Sequence, residues 1–264
     1  MRRRLRPRAH GPGAAPRVRG ARPGGGIGMA DPNDRFANQV GAPVPGWSPR
    51  PLPPASPMVG RFCTVEPLDP ASHGAALAAA SAADPDGHWT YLPYERPADR
   101  GAYLAWLGSI AGRTDPMYHA IVDRRTGQAV GVAAYMRIDR GNGCIEVGGL
   151  NFARPLQRTP AATEAMFLML RRAFDELGYR RYEWKCDSLN APSRAAAERL
   201  GFRYDGLFRQ AVVTKGRNRD TAWFSIIDSE WPALRDGFAR WLAAENFDAD
   251  GRQRRSLAAC RAAA

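Results

Sequence analysis

Two segments of the chain combine the residue types that bind anions at the start of a helix. The first, residues 156–165, reads LQRTPAATEA, and the second, residues 190–202, reads NAPSRAAAERLGF. Each offers a capping side chain and an early proline, followed by small residues. The free amides and the dipole of such a helix start attract an anion. Two of them, separated by one strand, predict a site for a phosphorylated ligand.

The first segment predicts a helix over residues 160–177. Thr159 is a suitable N-cap, and Pro160 suits the first helical position because its missing N–H costs little there. Apolar residues follow at helical spacing, and Gly178 suits a left-handed C-terminal cap. The amides expected to point at an anion are those of Arg158, Ala161, Ala162 and Thr163.

The elements that must hold these two helix starts follow from the hydrophobic pattern. Residues 180–187 alternate as a strand, and a helix capped by Asn190 runs to Gly201. The turn at 140–143 contains Asn-Gly and joins two strands as a hairpin. Further strands are predicted over residues 59–68, 117–123, 129–139, 144–152, 203–214 and 221–228, with helices over 71–82, after Asp99 and after Trp231. We therefore predict an α+β fold with one mixed sheet.

At these residues the chain resembles the GNAT N-acetyltransferase superfamily, in its RimJ/RimL-like branch. That family binds acetyl-CoA at a loop of the form Gln/Arg-x-x-Gly-x-Gly/Ala, where this chain has Gln157, Pro160 and Ala162. Pro160 departs from the pattern, because it removes one backbone donor to the pyrophosphate. Asn190 and the pair Gly201-Phe202 match the family at the next helix. The resemblance covers residues 58–230.

The resemblance implies the GNAT fold, with a mixed, mostly antiparallel central sheet flanked by helices. It implies acetyl-CoA as the donor and transfer of the acetyl group to a primary amine by direct attack in a ternary complex. The acceptor is then a protein N-terminal amine or a small-molecule amine, and no metal is needed. The implied cofactor-binding residues are Gln157, Arg158, Thr159, Ala161, Ala162, Thr163 and Asn190.

The resemblance also nominates the catalytic residues. Glu146 lies where relatives carry a carboxylate and is the expected base, with Glu183 as the second choice; the alternative for Glu146 is a strand-face residue paired with an arginine. Glu164 suits the helix dipole better than chemistry. Ser193 is the expected acid, because Ala197 stands where many members have a tyrosine. Its alternative is a first-turn hydroxyl bonded to local backbone amides.

The acceptor side is expected at the aromatic segment 84–98. The predicted substrate wall consists of His88, Trp89, Tyr91 and Tyr94. A buried aromatic cluster is an equally good interpretation of the same residues. Gly148-Gly149 suggests either a bulge that opens the sheet or a plain kink.

Charge is concentrated at the two ends of the chain. Of the net charge of +12, residues 1–28 contribute eight arginines and residues 251–264 four, with no acid in either segment. The remainder holds 26 basic and 26 acidic side chains. A basic arm can contact nucleic acid or the ribosome. With 36 Arg against 2 Lys, however, GC-biased coding accounts for it better.

Composition divides the chain into four parts. Residues 1–28 form a basic disordered extension that need not be native, since Met29 is a sensible start. Residues 29–57 form a Pro/Gly-rich leader, expected to be poorly ordered or loosely packed. Residues 58–230 form the acetyltransferase domain, and residues 231–264 form a C-terminal helix with a basic tail.

The four cysteines show no metal or redox spacing, which favours a cytoplasmic setting, and no apolar run approaches a membrane helix. Pro160 and Ala197 keep open a catalytically inactive acyl-CoA-binding sensor or partner protein. A nucleic-acid-binding protein that uses the basic tails is a further, weaker alternative.

Overall fold

The computed structural model describes residues 40–262 of the chain. The chain divides after Gly46 into two units, Met1–Gly46 and Trp47–Ala264. Of the first unit, only residues 40–46 are described, and they end in a turn. The predicted basic extension 1–28 lies outside the described residues. The candidate active site belongs to the second unit.

The second unit contains helices and strands in alternation. The helices are α1 (Pro70–Ala82), α2 (Arg100–Ile110), α3 (Pro160–Arg171), α4 (Ala191–Leu200), α5 (Trp231–Leu242) and α6 (Leu257–Ala262). The strands are β1 (Met58–Val59), β2 (Cys63–Pro67), β3 (Met117–Asp123), β4 (Gln128–Asp139), β5 (Cys144–Phe152), β6 (Arg181–Asp187), β7 (Arg203–Thr214) and β8 (Arg217–Ile227). A short 3₁₀ turn, Asp86–Trp89, lies between α1 and α2.

The eight strands found within residues 40–262 form one sheet in the order β1-β2-β3-β4-β5-β6-β8-β7. Only β5 and β6 pair in parallel, joined by α3 as the crossover helix; the other neighbours are antiparallel. The predicted mixed, mostly antiparallel sheet flanked by helices is therefore confirmed.

Each face of the sheet has its own hydrophobic core. One face packs against α3, α4 and α5 through a large cluster that includes Phe167, Trp184, Phe224 and Phe238. The other face packs against α1 and α2 through a smaller cluster that includes Leu77, Leu107 and Val132. The alternation predicted for residues 180–187 is confirmed on one of these faces. Tyr182, Trp184 and Cys186 all point to the same side of the sheet and are buried in the larger core.

The first predicted helix differs from expectation in its last turn. It is α-helical over Pro160–Arg171 and continues as a π-helical turn over Arg172–Glu176, before Gly178 takes the left-handed conformation at φ 69°. Arg172 is buried in this turn and donates to the carbonyls of Ser56 and Pro57. The π-helical turn therefore occurs where the buried Arg172 guanidinium donates to carbonyl groups that lie outside the helix.

The segment 47–57, predicted as part of a loose leader, makes specific contacts with the domain. The Tyr179 hydroxyl donates to the Pro51 carbonyl at 3.0 Å, and the Trp47 indole donates to the Gly141 carbonyl at 2.8 Å. Prolines remove amide donors but leave every carbonyl free to accept, so side chains of the domain can fasten such a segment. Composition alone did not predict these contacts.

The C-terminal part contains more than one helix. After α5, residues Ala244–Asn246 form a 3₁₀ turn, and α6 packs against α5. Phe238, Trp241 and Leu257 are buried in the larger core. No helix in the described part of the chain is long and apolar enough to cross a bilayer.

Candidate active site

The two parallel strands of the sheet separate towards their carboxyl ends. Their pairing ends at Val147 and Trp184, although β5 continues to Phe152 and β6 to Asp187. Beyond that point β5 and β6 diverge, and the gap between them is called the strand opening below. It creates a slot in the sheet directly before the loop that leads to α3.

A bulge in β5 lies at the strand opening. Val132 pairs with Asn151 and Ala134 with Gly148, so two residues of β5 oppose one of β4. Gly149 has φ 58°, and a Cβ there would lie 2.7 Å from the Tyr118 hydroxyl. Both constraints require glycine. Of the two interpretations of Gly148-Gly149, the structure supports the bulge.

The start of α3 follows the strand opening and is capped as predicted. The Thr159 hydroxyl donates to the Leu156 carbonyl at 2.7 Å and accepts from the Ala162 amide at 3.2 Å. Pro160 occupies the first helical turn, and Arg158 has φ 60° just before it. One of the four predicted anion donors, the Ala162 amide, is therefore already engaged by the cap.

A cavity of about 590 Å³ opens beside this helix start. Arg61 lines it from the β1–β2 turn, and Arg124 and Arg125 line it from the β3–β4 turn; Thr159 and Pro160 contribute the α3 side. Its one acidic lining residue is Asp123. The excess of guanidinium groups beside a helix N-terminus favours an anion. Sequence reasoning missed these arginines, because their positions come together only through the sheet.

Glu164 fixes one wall of this cavity. Its carboxylate is buried and accepts hydrogen bonds from three consecutive amides, those of Arg61, Phe62 and Cys63, at 2.7, 2.6 and 2.9 Å. A carboxylate held by three amides ties the β1–β2 turn to α3. Glu164 lies beyond the first turn of α3, so these three amides are its partners instead of the helix dipole expected from the sequence.

Gln157 connects the loop before α3 to the acceptor segment. Its side-chain amide donates to the Phe152 carbonyl at 2.7 Å and lies 3.4 Å from His88 Nδ1. The other ring nitrogen of His88 lies 2.7 Å from Asn151 Oδ1. The predicted cofactor loop and the predicted substrate segment thus share one hydrogen-bonded chain.

The start of α4 lies on the other side of the strand opening. Asn190 Oδ1 accepts from the Ser193 amide at 3.2 Å, which confirms the cap and leaves the Nδ2 group to other partners. The Ser193 hydroxyl accepts from the Trp184 indole at 3.0 Å, so its own hydrogen is directed elsewhere, and the Cys186 sulfur is one partner for it. Ala197 is fully buried, and the space beside it is filled by the core.

Glu146 lies on the sheet face that carries α1 and α2, below the strand opening. It is only 2 % exposed and forms ion pairs with Arg137 at 2.6 Å and Lys185 at 2.8 Å. Burial raises the pKa of Glu146 above its usual value, although hydrogen bonds and charge from Lys185 and Arg137 oppose the rise. The arginine pairing considered for this residue is present, and a lysine is added to it.

Glu183 pairs directly across from Glu146 and shares Lys185 with it, at 2.7 Å. Burial raises its pKa, but hydrogen bonds from Arg181 and Lys185 outweigh that effect and hold the pKa below the usual value. The two carboxylates therefore differ in basicity in the direction that favours Glu146 as a proton acceptor. The strand alternation placed Lys185 on this face, but its partner on β5 could not be deduced.

The four predicted wall residues divide into two pairs. Trp89 is 2 % exposed and packs edge-on against Trp106 and Tyr103, and Tyr94 lies 5.1 Å from Trp106 between ring centroids. These two form the buried aromatic cluster of the alternative interpretation. His88 and Tyr91 are more accessible, and the Tyr91 hydroxyl donates to the Leu189 carbonyl across the strand opening.

A family model described as an acetyltransferase (GNAT) domain matches residues 64–203. Among curated proteins, an uncharacterised N-acetyltransferase p20 of Bacillus licheniformis is 30% identical over 112 residues, 42% of this chain. A putative ribosomal N-acetyltransferase YdaF of Bacillus subtilis is 28% identical over 105 residues, 40% of this chain. The matches span only 62% and 57% of these relatives' lengths.

Solved structures agree with the family match. A GCN5-related N-acetyltransferase from Brucella melitensis is 48% identical, with a TM-score of 0.81; the match covers 83% of this chain and all of that one. The microcin C7 self-immunity acetyltransferase MccE, solved with acetyl-CoA and AMP, shares the fold at 18% identity and a TM-score of 0.57, over 67% of this chain and 98% of its own. The chain therefore belongs to the GNAT acetyltransferase family, in its RimJ/RimL-like branch.

Proposed function

We propose that the protein is an acetyl-CoA-dependent N-acetyltransferase that acts on a primary amine by direct attack in a ternary complex. The observation that carries this proposal is the strand opening between β5 and β6, bordered by the capped starts of α3 and α4. A slot of this kind admits a narrow, extended ligand arm. The helix start beside it suits a diphosphate.

The residues at the start of α3 fit the phosphorylated end of acetyl-CoA. Gln157 and the amides of Arg158, Thr159, Ala161 and Thr163 are proposed to surround the diphosphate. Two amides of this helix start are already engaged: the Ala162 amide must exchange the Thr159 hydroxyl, and the Thr159 amide the Leu156 carbonyl at 3.3 Å, for a phosphate oxygen. The arginines of the adjacent cavity add positive charge for the remaining phosphate, and Asn190 is proposed to bind the arm through its free Nδ2 group.

The chemical step needs a proton acceptor and a proton donor. Bound acetyl-CoA supplies an activated acetyl group. Glu146 is proposed to take the proton of the attacking amine through a water chain, since the carboxylate is buried and its pKa is raised chiefly by burial. Ser193 is proposed to donate a proton to the leaving sulfur, because its hydroxyl hydrogen is not used by Trp184. Glu183 remains the second choice as base.

The acceptor is proposed to enter beneath the segment that contains His88 and Tyr91, with the buried Trp89 and Tyr94 supporting that segment from behind. YdaF is described as a putative ribosomal N-acetyltransferase. A protein N-terminal amine is therefore one proposed acceptor class here, beside small-molecule amines. The reaction is proposed to occur in the cytoplasm.

A catalytically inactive acyl-CoA-binding sensor is the second candidate. Pro160 and Ala197 favour it, since both depart from the family pattern at the site. The nucleic-acid alternative depends on basic tails, one of which lies outside the described residues.

The proposal of an acyl-CoA site is tested by thermal unfolding with acetyl-CoA, longer acyl-CoAs and free CoA. A ligand that binds only the native state raises the free energy of unfolding by mass action, by about 2.7 kcal/mol at a hundred times its Kd, and so raises Tm. We expect acetyl-CoA to raise Tm at least as much as longer acyl-CoAs do. If none of these ligands shifts Tm, the chain has no acyl-CoA site.

Replacing Ser193 by alanine should lower kcat by about 10²-fold, the lower end of what a proton-transfer group contributes. The Tm shift with acetyl-CoA should be retained, because the hydroxyl acts on the leaving group and the Asn190 cap uses only the Ser193 amide. Steady-state kinetics and thermal unfolding measure both. Ser109→Ala, the same change on exposed α2, is the control. Unaltered kcat in Ser193→Ala would remove the serine from the mechanism.

Replacing Pro160 by glycine should tighten acetyl-CoA binding about tenfold, because it restores an amide that can donate to a charged phosphate. The same variant should lower Tm, because glycine has more freedom in the unfolded chain than proline. Pro232→Gly, at the start of α5, which packs near the far end of the helix that Pro160 begins, should lower Tm without changing the Kd for acetyl-CoA. Isothermal titration calorimetry measures the Kd for acetyl-CoA in both variants. An unchanged Kd in Pro160→Gly would mean that this turn does not contact the diphosphate.

A further inference from the structure

Two aromatic rings stack on the face of the sheet that carries Glu146. Trp223 on β8 and Phe208 on the edge strand β7 lie 4.2 Å apart between ring centroids, at an interplanar angle of 21°. Among the described residues, neither ring belongs to either of the two hydrophobic cores, and Phe208 is 50 % exposed. Stacked rings normally bury apolar surface, so a pair outside both cores indicates a different role.

The contact of Trp223 on its other side is Lys185. The two residues pair directly across β6 and β8, so their side chains share one face of the sheet. Lys185 Nζ lies 3.8 Å from the centroid of the Trp223 ring, within the range of a cation–π interaction. Nζ and the Phe208 ring are both too close to the indole to share one of its faces. The indole is therefore held between an ammonium and a phenyl ring.

The ammonium of Lys185 also lies between two carboxylates. Nζ is 2.8 Å from Glu146 Oε2 and 2.7 Å from Glu183 Oε2, and the lysine side chain is only 10 % exposed. An ammonium has three N–H groups, which match two carboxylates and one ring face. Each carboxylate has an arginine of its own, Arg137 for Glu146 and Arg181 for Glu183. Lys185 alone joins the two pairs.

Lys185 supports the charge of Glu146 more than Arg137 does. Arg137 binds Glu146 Oε1, and its side chain is 58 % exposed, so solvent screens that pair more than the buried one. Within residues 40–262, Glu146 Oε2 has no hydrogen-bond partner besides this ion pair with Lys185. Burial raises the pKa of Glu146, and Lys185 opposes the rise more strongly than Arg137. The charged groups that face Glu146 are these two, with Glu183 beyond the lysine.

We propose that Lys185 is a positioning residue of the reaction: held by the ring of Trp223, which Phe208 backs, its ammonium keeps the Glu146 carboxylate ionised and in place to accept the proton of the attacking amine. This role rests on the proposed function, in which Glu146 is the base. A lysine side chain has four rotatable bonds, and Glu183 competes for its charge. The indole face fixes the ammonium where both carboxylates reach it.

The ionisation of Glu146 can be measured without any activity. In protein labelled with ¹³C at the glutamate carboxyl carbons, the NMR resonance that is absent from Glu146→Gln reports it. Lys185→Met removes the charge and leaves each carboxylate its arginine, so we expect the Glu146 pKa to rise by about one unit or more. Trp223→Leu keeps the charge but frees the ammonium, and should raise this pKa by about half a unit.

Two variants are matched controls for this titration. Arg252→Met removes an exposed positive charge between α5 and α6, and should leave the Glu146 pKa unchanged. Tyr204→Leu removes a half-exposed ring from β7 that packs on Phe224, on the opposite face of the sheet, and should leave it unchanged too.

The pH dependence of kcat/KM connects the ion pair to catalysis. The rise of kcat/KM with pH should move upward by the same amount as the NMR titration, which lowers kcat/KM of Lys185→Met about tenfold below that rise. Above the raised pKa the variant should approach the wild type, whereas a merely misfolded site would lose activity at every pH. Lys185→Arg, which keeps the charge, should return the profile towards that of the wild type.

The outcomes separate this role from the function beneath it. A Glu146 pKa that is unchanged in Lys185→Met overturns the proposal, whatever the activity. A raised pKa with an unmoved kinetic profile also overturns it, while acetyl transfer itself stands. A pKa raised in Lys185→Met but not in Trp223→Leu removes the aromatic pair from the proposal. If the wild type acetylates no amine, the proposed function fails, and the NMR titration still decides whether Lys185 supports the charge of Glu146.

Discussion

Replacing Glu146 by glutamine should lower kcat by about 10²- to 10⁴-fold, the contribution of a proton-transfer group. Glutamine keeps the size of the side chain but cannot take a proton from the attacking amine. Lys185 keeps Glu183 as a partner at 2.7 Å, so the variant does not leave that ammonium unpaired. Acetyl-CoA should bind as before, because Glu146 lies on the sheet and not at the α3 start. Kinetics and the acetyl-CoA Tm shift measure these two results.

The pH profile gives this prediction a second measurement. Burial raises the pKa of Glu146, with Lys185 and Arg137 opposing the rise. A base acts only when deprotonated, so kcat/KM of the wild type should increase with pH through a value above the usual pKa of glutamate. Glu146→Gln should lose that limb and retain only the titration of the acceptor amine.

Glu183→Gln is the matched control for Glu146→Gln. Because Arg181 and Lys185 hold the pKa of Glu183 below the usual value, it is a poorer base, and its loss should lower kcat by less than about tenfold. A larger effect of Glu183→Gln would transfer the role of base to that residue. Wild-type kcat in both variants would mean that neither of these two carboxylates accepts the proton.

Replacing Glu164 by alanine should lower the free energy of unfolding by about 3–5 kcal/mol. The substitution leaves the amides of Arg61, Phe62 and Cys63 without their buried acceptor. For a protein of this size the loss corresponds to a Tm lower by about 10 °C. Thermal and urea denaturation measure it.

The same substitution should also weaken acetyl-CoA binding, because the β1–β2 turn carries Arg61 into the cavity beside α3. Glu198→Ala, on the exposed surface of α4, should change the stability by no more than about 0.5 kcal/mol. A Tm of Glu164→Ala within a few degrees of the wild type would show that the three hydrogen bonds contribute little net stability.

Local features of the site could be predicted from the sequence, because each depends on residues close along the chain. Thr159, Asn190 and Asp99 cap their helices through an amide three residues further on. The alternation of residues 181–187 correctly assigned their faces. These patterns also place the two helix starts on either side of β6. Cap and strand patterns thus located both helix starts from the sequence alone.

Contacts between distant parts of the chain could not be predicted in this way. The Glu164 carboxylate binds amides about a hundred residues earlier, and Lys185 joins Glu146 only because β5 and β6 are neighbours. The burial of Trp89 depends on α2, which supplies Trp106. The hydrogen bond between His88 and Asn151 likewise joins residues that lie 63 positions apart in the sequence.

The most direct test of the central claim is acetyl transfer itself, measured by mass spectrometry. The full-length protein is incubated with acetyl-CoA and a mixture of primary amines that includes amino acids, peptides and alkylamines. We predict that at least one amine gains one acetyl group, with release of an equal amount of CoA, and that Glu146→Gln abolishes nearly all of this product. Binding of acetyl-CoA by Tm shift with no acetylated amine would contradict the account and favour an acyl-CoA sensor.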